Sequence, residues 1–391
     1  MKAGSLPVRE VRRYVDQHQG RWIEFLRRLV QAESPSLIPE SQQKVFEILR
    51  QPFEEMNFDI WHTAGAQSGG HLCMRSSDGG KKGLQQLLLG HCDTVWPLGT
   101  LDQMPVEIDT LQGTLKGPGV YDMKAGLTQM VFALMALHDL GLEPEVAPMV
   151  LINSDEEVGS TDSEPHIRRL AKNSHRVFVL EPSLGRAGHL KTARKGIGQF
   201  TIAVQGKAAH AGLEPERGAS AILELSYLIQ KLFQLNDPER GITVNVGTIE
   251  GGLRPNVIAP QSKATVDVRV VNQEDGRRIE DQIFNLQPTI PNVQLEIRGH
   301  LSRPPLERTP RNQALWGMAV RIGNEMGLEL EGSLAGGASD GNLTSLYSAT
   351  LDGLGAVGGG AHAQHEFIYL DKLAERTALL ALLLLAPPLE T

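Results

Sequence analysis

The chain is predicted to be an α/β protein, a sheet of buried strands flanked by helices and interrupted by a smaller α+β insert. Three observations predict it. Short apolar runs, Leu87-Leu88-Leu89, Val150-Leu151-Ile152 and Val177-Phe178-Val179-Leu180, have the character of strands buried on both faces, as in parallel sheets. Between about Arg194 and His300 the pattern becomes strand, helix, strand, strand, helix, strand, which is the ferredoxin-like order. At 391 residues the chain exceeds the usual size of one core.

Composition narrows the function. With 41% hydrophobic and 21% charged residues, the chain is an ordinary soluble globular protein. A formal charge of −8 argues against a nucleic-acid or polybasic membrane footprint. Cys73 and Cys92 are the only cysteines, too few for a disulfide framework, and their spacing matches no zinc ribbon. The first residues carry Arg9, Arg12, Arg13 and Asp16 without an apolar stretch, so no signal peptide is expected and the cytoplasm is the default compartment. The run Leu379 to Leu385 is too short to cross a bilayer and suits the buried face of a final helix.

In chain order, Val11 to Gln31 is expected as one helix, with Val15, Trp22, Ile23, Phe25, Leu26, Leu29 and Val30 at helical spacing. Ser41 to Met56 is a second. Gly65 to Gly70 and Ser76 to Gly83 are glycine-rich and polar, as loops or hairpins are. They lack the Lys-Ser/Thr of a phosphate loop. The first buried strand then ends in Gly90-His91-Cys92-Asp93-Thr94-Val95. Residues two apart on a strand share a face, so His91 and Asp93 are neighbours at its carboxyl edge, where catalytic groups of open α/β sheets collect. A carboxylate beside a histidine fixes a metal-binding ring, although a polar turn after a core strand would read the same way.

Gly117-Pro118-Gly119-Val120-Tyr121-Asp122-Met123-Lys124-Ala125-Gly126 leads irregularly into an apolar helix over Met123 to Leu140, closed by Gly141. Asp122 stands where an N-cap would stand, and its two oxygens also suit a bridge between two cations. The second strand ends in Asp155-Glu156-Glu157-Val158-Gly159. Adjacent glutamates point differently, so one can ligate a metal while the other faces water activated by it. The third strand ends in Glu181-Pro182-Ser183. Three apolar strands thus each end in an acid or a histidine.

Together, the Gly-His-Cys-Asp-Thr-Val, Gly-Val-Tyr-Asp-Met-Lys-Ala-Gly, Asp-Glu-Glu-Val-Gly and Leu-Glu-Pro-Ser runs resemble the ordered motifs of the dinuclear-zinc amidohydrolases. That family includes glutamate carboxypeptidase, aminoacylase, acetylornithine deacetylase and succinyl-diaminopimelate desuccinylase. The resemblance covers nearly the whole chain. It implies a zinc-peptidase-like mixed sheet flanked by helices over 1–193 and 304–391, with an inserted dimerisation or lid domain over 194–303. It also implies two Zn²⁺ ions per chain, replaceable by Co²⁺ or Mn²⁺, held by His91, Asp122, Glu157, Glu181 and a late histidine. Asp122 would bridge the ions, Glu156 would be the general base that deprotonates the bridging water, and Asp93 would orient His91.

Within the insert, Gly206-Lys207-Ala208-Ala209-His210-Ala211-Gly212 resembles the family's glycine-flanked histidine, which polarises the scissile carbonyl, often from the neighbouring subunit. Gly251-Gly252-Leu253-Arg254-Pro255-Asn256 resembles a loop whose Asn binds substrate or oxyanion. Asp267 and Arg269 share a strand face, as a substrate contact or as an internal salt bridge. Arg303, before Pro304-Pro305, stands where the carboxypeptidase branch grips a terminal carboxylate; a hinge-surface arginine is the alternative. Gly336-Gly337-Ala338-Ser339-Asp340 resembles a turn whose backbone, Gly337 included, lines the substrate pocket, with Asp340 structural. In Gly358-Gly359-Gly360-Ala361-His362-Ala363-Gln364-His365-Glu366-Phe367, His362 has the family's spacing to the Glu-aromatic pair, while His365 departs from it and leaves open which histidine coordinates.

The function implied is hydrolysis of an amide or peptide bond next to a free carboxylate, glutamate carboxypeptidase-like, acting on a small peptide or N-acyl amino acid. An N-acyl amino acid deacylase of the same family is the alternative. A non-catalytic metal-binding protein with this fold would lack a ligand or the base, and none is missing. A serine hydrolase is set aside.

Overall fold

The computed structural model describes residues 6–76 and 83–390. Of the loop expected over Ser76 to Gly83, positions 77–82 lie outside the described residues. Two compact units are formed. The larger takes 1–192, 308–334 and 339–391, and the insert takes 193–307 together with 335–338. The short segment 335–338, with Gly337, therefore belongs with the insert rather than with the chain that follows it.

The larger unit is built on a six-stranded mixed sheet in the order Phe58–Thr63, His71–Ser76, Ala147–Asn153, Gln85–His91, Arg176–Val179, Ala349–Leu351. The last four strands are parallel to one another, and the first two are antiparallel additions at one edge. The unbroken apolar runs follow from this position. Leu88, Val150, Ile152 and Phe178 enter one core with the helices Ala125–Asp139 and Leu370–Leu385. The intervening Leu87, Leu89, Leu151, Val177 and Val179 enter a second core with Ile167 and Leu343 on the opposite face. Parallel pairing sets His91 opposite Asn153 and Leu89 opposite Val179, so the three carboxyl ends come level.

Two helices differ from expectation. The run Val11 to Gln31 is two helices, Val8–Gln17 and Gln19–Gln31, broken at His18. The His18 ring stacks on Tyr14 at 4.0 Å, and its Nδ1 lies 2.8 Å from the Tyr14 carbonyl, so the side chain competes for the backbone it would need to continue. The apolar helix expected from Met123 starts at Ala125. Asp122 is not its N-cap but sits with Met123 in a kink of non-helical backbone, across a cis peptide bond. No helix of the described residues is long and apolar enough to cross a membrane.

The insert is a four-stranded antiparallel sheet in the order Thr243–Gly251, Gln261–Val270, Gly196–Gln205, Gln294–Arg303. The helices Ala221–Phe233 and Gln273–Phe284 complete the ferredoxin-like order. Alternate strand residues (Phe200, Ile202, Val204, Val266, Val268) meet Leu225, Leu228, Ile279 and Ile283 of the helices. Each helix is started by a side-chain cap, Ser220 accepting from Leu223 N and Asn272 from Asp275 N.

Candidate metal centre

His91 ends the central strand and is buried. Gly90 before it is tightly packed: a Cβ there would stand 2.7 Å from the Met123 methyl, which would have to shift. The His91 Nε2 lies 3.3 Å from Asp122 Oδ1 and 3.4 Å from Glu181 Oε1. Its Nδ1 lies 3.0 Å from the Asp93 carbonyl and 3.4 Å from the Asp93 carboxylate, so the ring is oriented chiefly by the Asp93 backbone. The Asp93 carboxylate is engaged elsewhere. It accepts from Ser36 Oγ at 2.7 Å and from the backbone N–H groups of Glu156 and Glu157 at 3.3 and 3.2 Å. One buried acid thus ties the end of the first strand to the acidic turn after the second.

That turn is a short 3₁₀ segment, Glu156–Val158, closed by Gly159 at φ +99°. It directs Glu157 Oε2 to within 3.3 Å of His362 Nε2. His362 also approaches the second oxygen of Asp122, Oδ2, at 3.7 Å. Asp122 therefore faces His91 with one oxygen and His362 with the other. His362 reaches this place from a tight turn in which it takes φ +59°. His365, three residues on, is exposed like His362 and stands outside both sets of ligand-type atoms that come together. Two sets of ligand-type atoms lie within 4.8 Å of one another: His91, Asp122 and Glu157, and His91, Glu156 and Glu181.

Electrostatics single out the cluster. Burial alone would lower the His91 pKa, yet Asp122, Asp93 and Glu181 outweigh it and raise the ring well above its ordinary value. His362 is raised to about 9, first by its hydrogen bond to Glu157. Burial raises Glu157, and its Oε1 is a buried atom without a hydrogen-bond partner. Four carboxylates, Asp122, Glu156, Glu157 and Glu181, converge on two imidazoles, an excess of negative charge in a site that is buried at His91 and Glu181 and open at His362. A mixed N/O donor set with an orphaned carboxylate oxygen and a carboxylate open on two sides fits divalent cations.

Three participants carried no site assignment from the sequence. Lys191 is buried with its Nζ 3.7 Å from the outer oxygen of Glu181. Asp340 accepts from Ser160 Oγ at 2.6 Å and Asn153 Nδ2 at 2.7 Å, gripping both ends of the acidic turn. Glu366, fully buried, accepts from the backbone N–H groups of Gly119, Tyr121 and Asp122 and from the Trp96 indole. The only sequence signal for Glu366 is its spacing from His362. The run Gly337-Ala338-Ser339-Asp340-Gly341 has the Gly-x-Ser-x-Gly spelling of a serine-nucleophile elbow. Ser339 is nevertheless fully buried, caps the helix Asp340–Thr344 and donates its hydroxyl to Asp352 at 2.6 Å, so it is no exposed nucleophile.

The remaining candidates lie in the insert. His210 is exposed, and its Nδ1 accepts from the N–H groups of Gly212 and Leu213, both at 3.2 Å, which leaves Nε2 to face outward. Its backbone bridges to Val257 and the Ala211 N–H donates to the Asn256 carbonyl, so the His210 and Asn256 loops lie side by side. Both nitrogens of the Arg269 fork grip Asp267, at 2.8 and 3.0 Å, the internal salt bridge that their shared strand face allows. Arg303 is buried at the end of its strand rather than on a hinge surface. The Gly337 carbonyl accepts from Arg194 at 3.0 Å.

Residues 87–386 match the profile of Peptidase family M20/M25/M40. The chain belongs to that family. It is a metallopeptidase-type hydrolase, similar to carboxypeptidase G2 of a Pseudomonas species, with 26% identity over 372 residues, 93% of this chain and 88% of the relative. Among solved structures, aminopeptidase PepT from Bacillus cereus superposes with a TM-score of 0.77 at 20% identity, covering 94% of this chain and 98% of that one. The Bacillus subtilis YXEP protein, described as a dinuclear metal-binding peptidase of the M20 family, superposes with a TM-score of 0.67 at 14% identity, covering 95% and 98%. At these identities the two structures speak for the fold.

Proposed function

We propose that this M20 enzyme hydrolyses an amide or peptide bond next to a free carboxylate, as a carboxypeptidase. The observation that carries the metal chemistry is Asp122 facing His91 and His362 with its two oxygens. In this reading His91, Asp122 and Glu181 hold one zinc ion, and Asp122, Glu157 and His362 hold the other. When bound, such a pair supplies Lewis-acid polarisation of the carbonyl and lowers the pKa of water.

The protein's own groups do the rest. Glu156, within ligand distance of His91 and Glu181, takes the proton of the attacking water and returns it to the leaving amine. Asp93 keeps that base in place through the two backbone N–H groups it binds. His210 offers its Nε2–H to the developing oxyanion, with Asn256 beside it. Arg303 binds the substrate's terminal carboxylate, and the backbone at Gly337 lines the pocket. Arg269, oriented by Asp267 through Nε and Nη2, would meet the substrate through Nη1.

The insert also supports a homodimer. Its edge strand Thr243–Gly251 is largely exposed, and Leu223, Tyr227 and Phe233 of the helix Ala221–Phe233 leave 47%, 38% and 48% of their surface open. The cytoplasm is the proposed compartment. The test is a panel of peptides with C-terminal glutamate and of N-acyl amino acids, assayed with added zinc. Release of the C-terminal amino acid from the peptides supports the carboxypeptidase reading. Turnover of the N-acyl amino acids alone would replace it with the deacylase, and no turnover of either would sink it.

A further inference from the structure

Glu366 binds the backbone of both loops that carry Asp122 and His362. One carboxylate oxygen accepts from Gly119 N and Trp96 Nε1, both at 2.8 Å, and the other from Tyr121 N at 2.8 Å and Asp122 N at 3.0 Å. Its own carbonyl accepts from Gly117 N at 3.4 Å. The irregular loop of 117–122 is therefore wound around this one residue, with Gly119 at φ +70° so that its N–H turns inward. Below the carboxylate, the Glu366 N–H donates to the Ala363 carbonyl at 3.0 Å and the Ala363 N–H to Gly360 at 2.8 Å. These two bonds close the turn that presents His362. Phe367–Tyr369 then pairs with Thr114–Lys116 inside a four-stranded sheet, so the two loops leave a common base.

Asp122 and His362 lie 240 residues apart in sequence, and both are anchored to the same buried residue, Asp122 through the Glu366 carboxylate and the His362 turn through the Glu366 backbone N–H. We propose that Glu366 is a positioning residue that sets the span between Asp122 and His362, and thereby the affinity of the metal position these two share with Glu157. The other position shares Asp122 but takes its remaining ligands, His91 and Glu181, from the ends of central-sheet strands rather than from the turn that Glu366 closes. The effect accordingly falls most heavily on the position that holds His362. The inference rests on the two-ion reading given above.

Glu366→Gln tests it, because the amide has the same shape but turns an N–H₂ donor toward backbone N–H groups. The folded variant, checked by circular dichroism, is titrated with Zn²⁺ against a chromophoric chelator and with Co²⁺ by absorption, beside the wild type. The wild type takes up two ions. In the variant the position that holds His362 weakens by about 10- to 100-fold, the usual effect of losing a partner behind a ligand, and the other position weakens less. The visible cobalt spectrum changes chiefly for the more weakened ion, and kcat recovers at high metal while KM stays unchanged. Trp96→Phe removes a single donor and weakens the same position by a smaller factor, which keeps the proposal testable if Glu366→Gln does not fold. Wild-type affinity at both positions, or equal weakening of both, overturns the positioning role. A wild type that binds only one ion instead overturns the two-ion reading itself, whatever the variants do.

Discussion

The strand ends of the larger unit and the loops of the insert hold polar groups in opposite ways. Around the metal centre, His91, Asp93, Glu181, Asp340 and Glu366 are all buried, each tied to backbone or side chains from distant parts of the chain, while His362 is exposed and held by its turn. In the insert, His210 and Asn256 are exposed on loops tied within a few residues or to the adjoining loop. A pair of ions demands donors at fixed distances, and burial with several anchors supplies that fixity. The proposed oxyanion groups of the insert, unlike the buried Arg303, lie where a substrate can reach them directly. The difference separates chemistry that is built into the fold from recognition that is completed by the ligand.

The sharpest way to break this comparison is at the base. Glu156→Gln should lower turnover by about 10³- to 10⁴-fold and leave the metal content unchanged, because the amide cannot take a proton while the surrounding ligands are untouched. Near-wild-type turnover in the metal-loaded variant would remove Glu156 from the chemistry. Next in size is His210→Ala, expected to cost about 10²- to 10³-fold in kcat with no change in metal affinity or melting temperature. Mixing it with Glu156→Gln chains should restore activity if His210 acts across a dimer. No recovery after verified subunit exchange would confine His210 to its own chain or remove it from catalysis.

The smallest effect concerns stability. His71, buried in the larger unit's sheet and packed 4.8 Å from the His166 ring, has its pKa lowered to about 4, first by burial and then by His166. The unfolded chain therefore binds the extra proton between pH 6.5 and about 4, and stability falls as pH falls through that window. The loss should reach about 2 kcal/mol, discounted for the partly exposed neighbour. In urea melts across this range, His71→Gln should flatten the slope. An unchanged slope would assign the pH dependence to other groups.

Much of this was legible locally. Leu87-Leu88-Leu89, Val150-Leu151-Ile152 and Val177-Phe178-Val179 are apolar without interruption because each strand feeds two cores, and the groups that follow them come level because the strands are parallel. The ferredoxin-like order was equally plain, since its strands alternate buried and open residues. What stayed hidden depends on contacts between distant segments. Nothing near Glu366 indicates that it would receive the Asp122 N–H, 244 residues away, nor near Asp340 that it would bind Asn153 and Ser160. The break at His18 was hidden for a different reason, because the apolar spacing runs through it and only the Tyr14 contact ends the helix.

Metal stoichiometry against turnover addresses the central claim most directly. Metal-free enzyme would be titrated with Zn²⁺ while bound metal and rate are followed together. A centre in which Asp122 is shared predicts uptake of two ions per chain, with full turnover reached only as the second position fills. Full turnover at one ion per chain, with no further change as more is added, would contradict it.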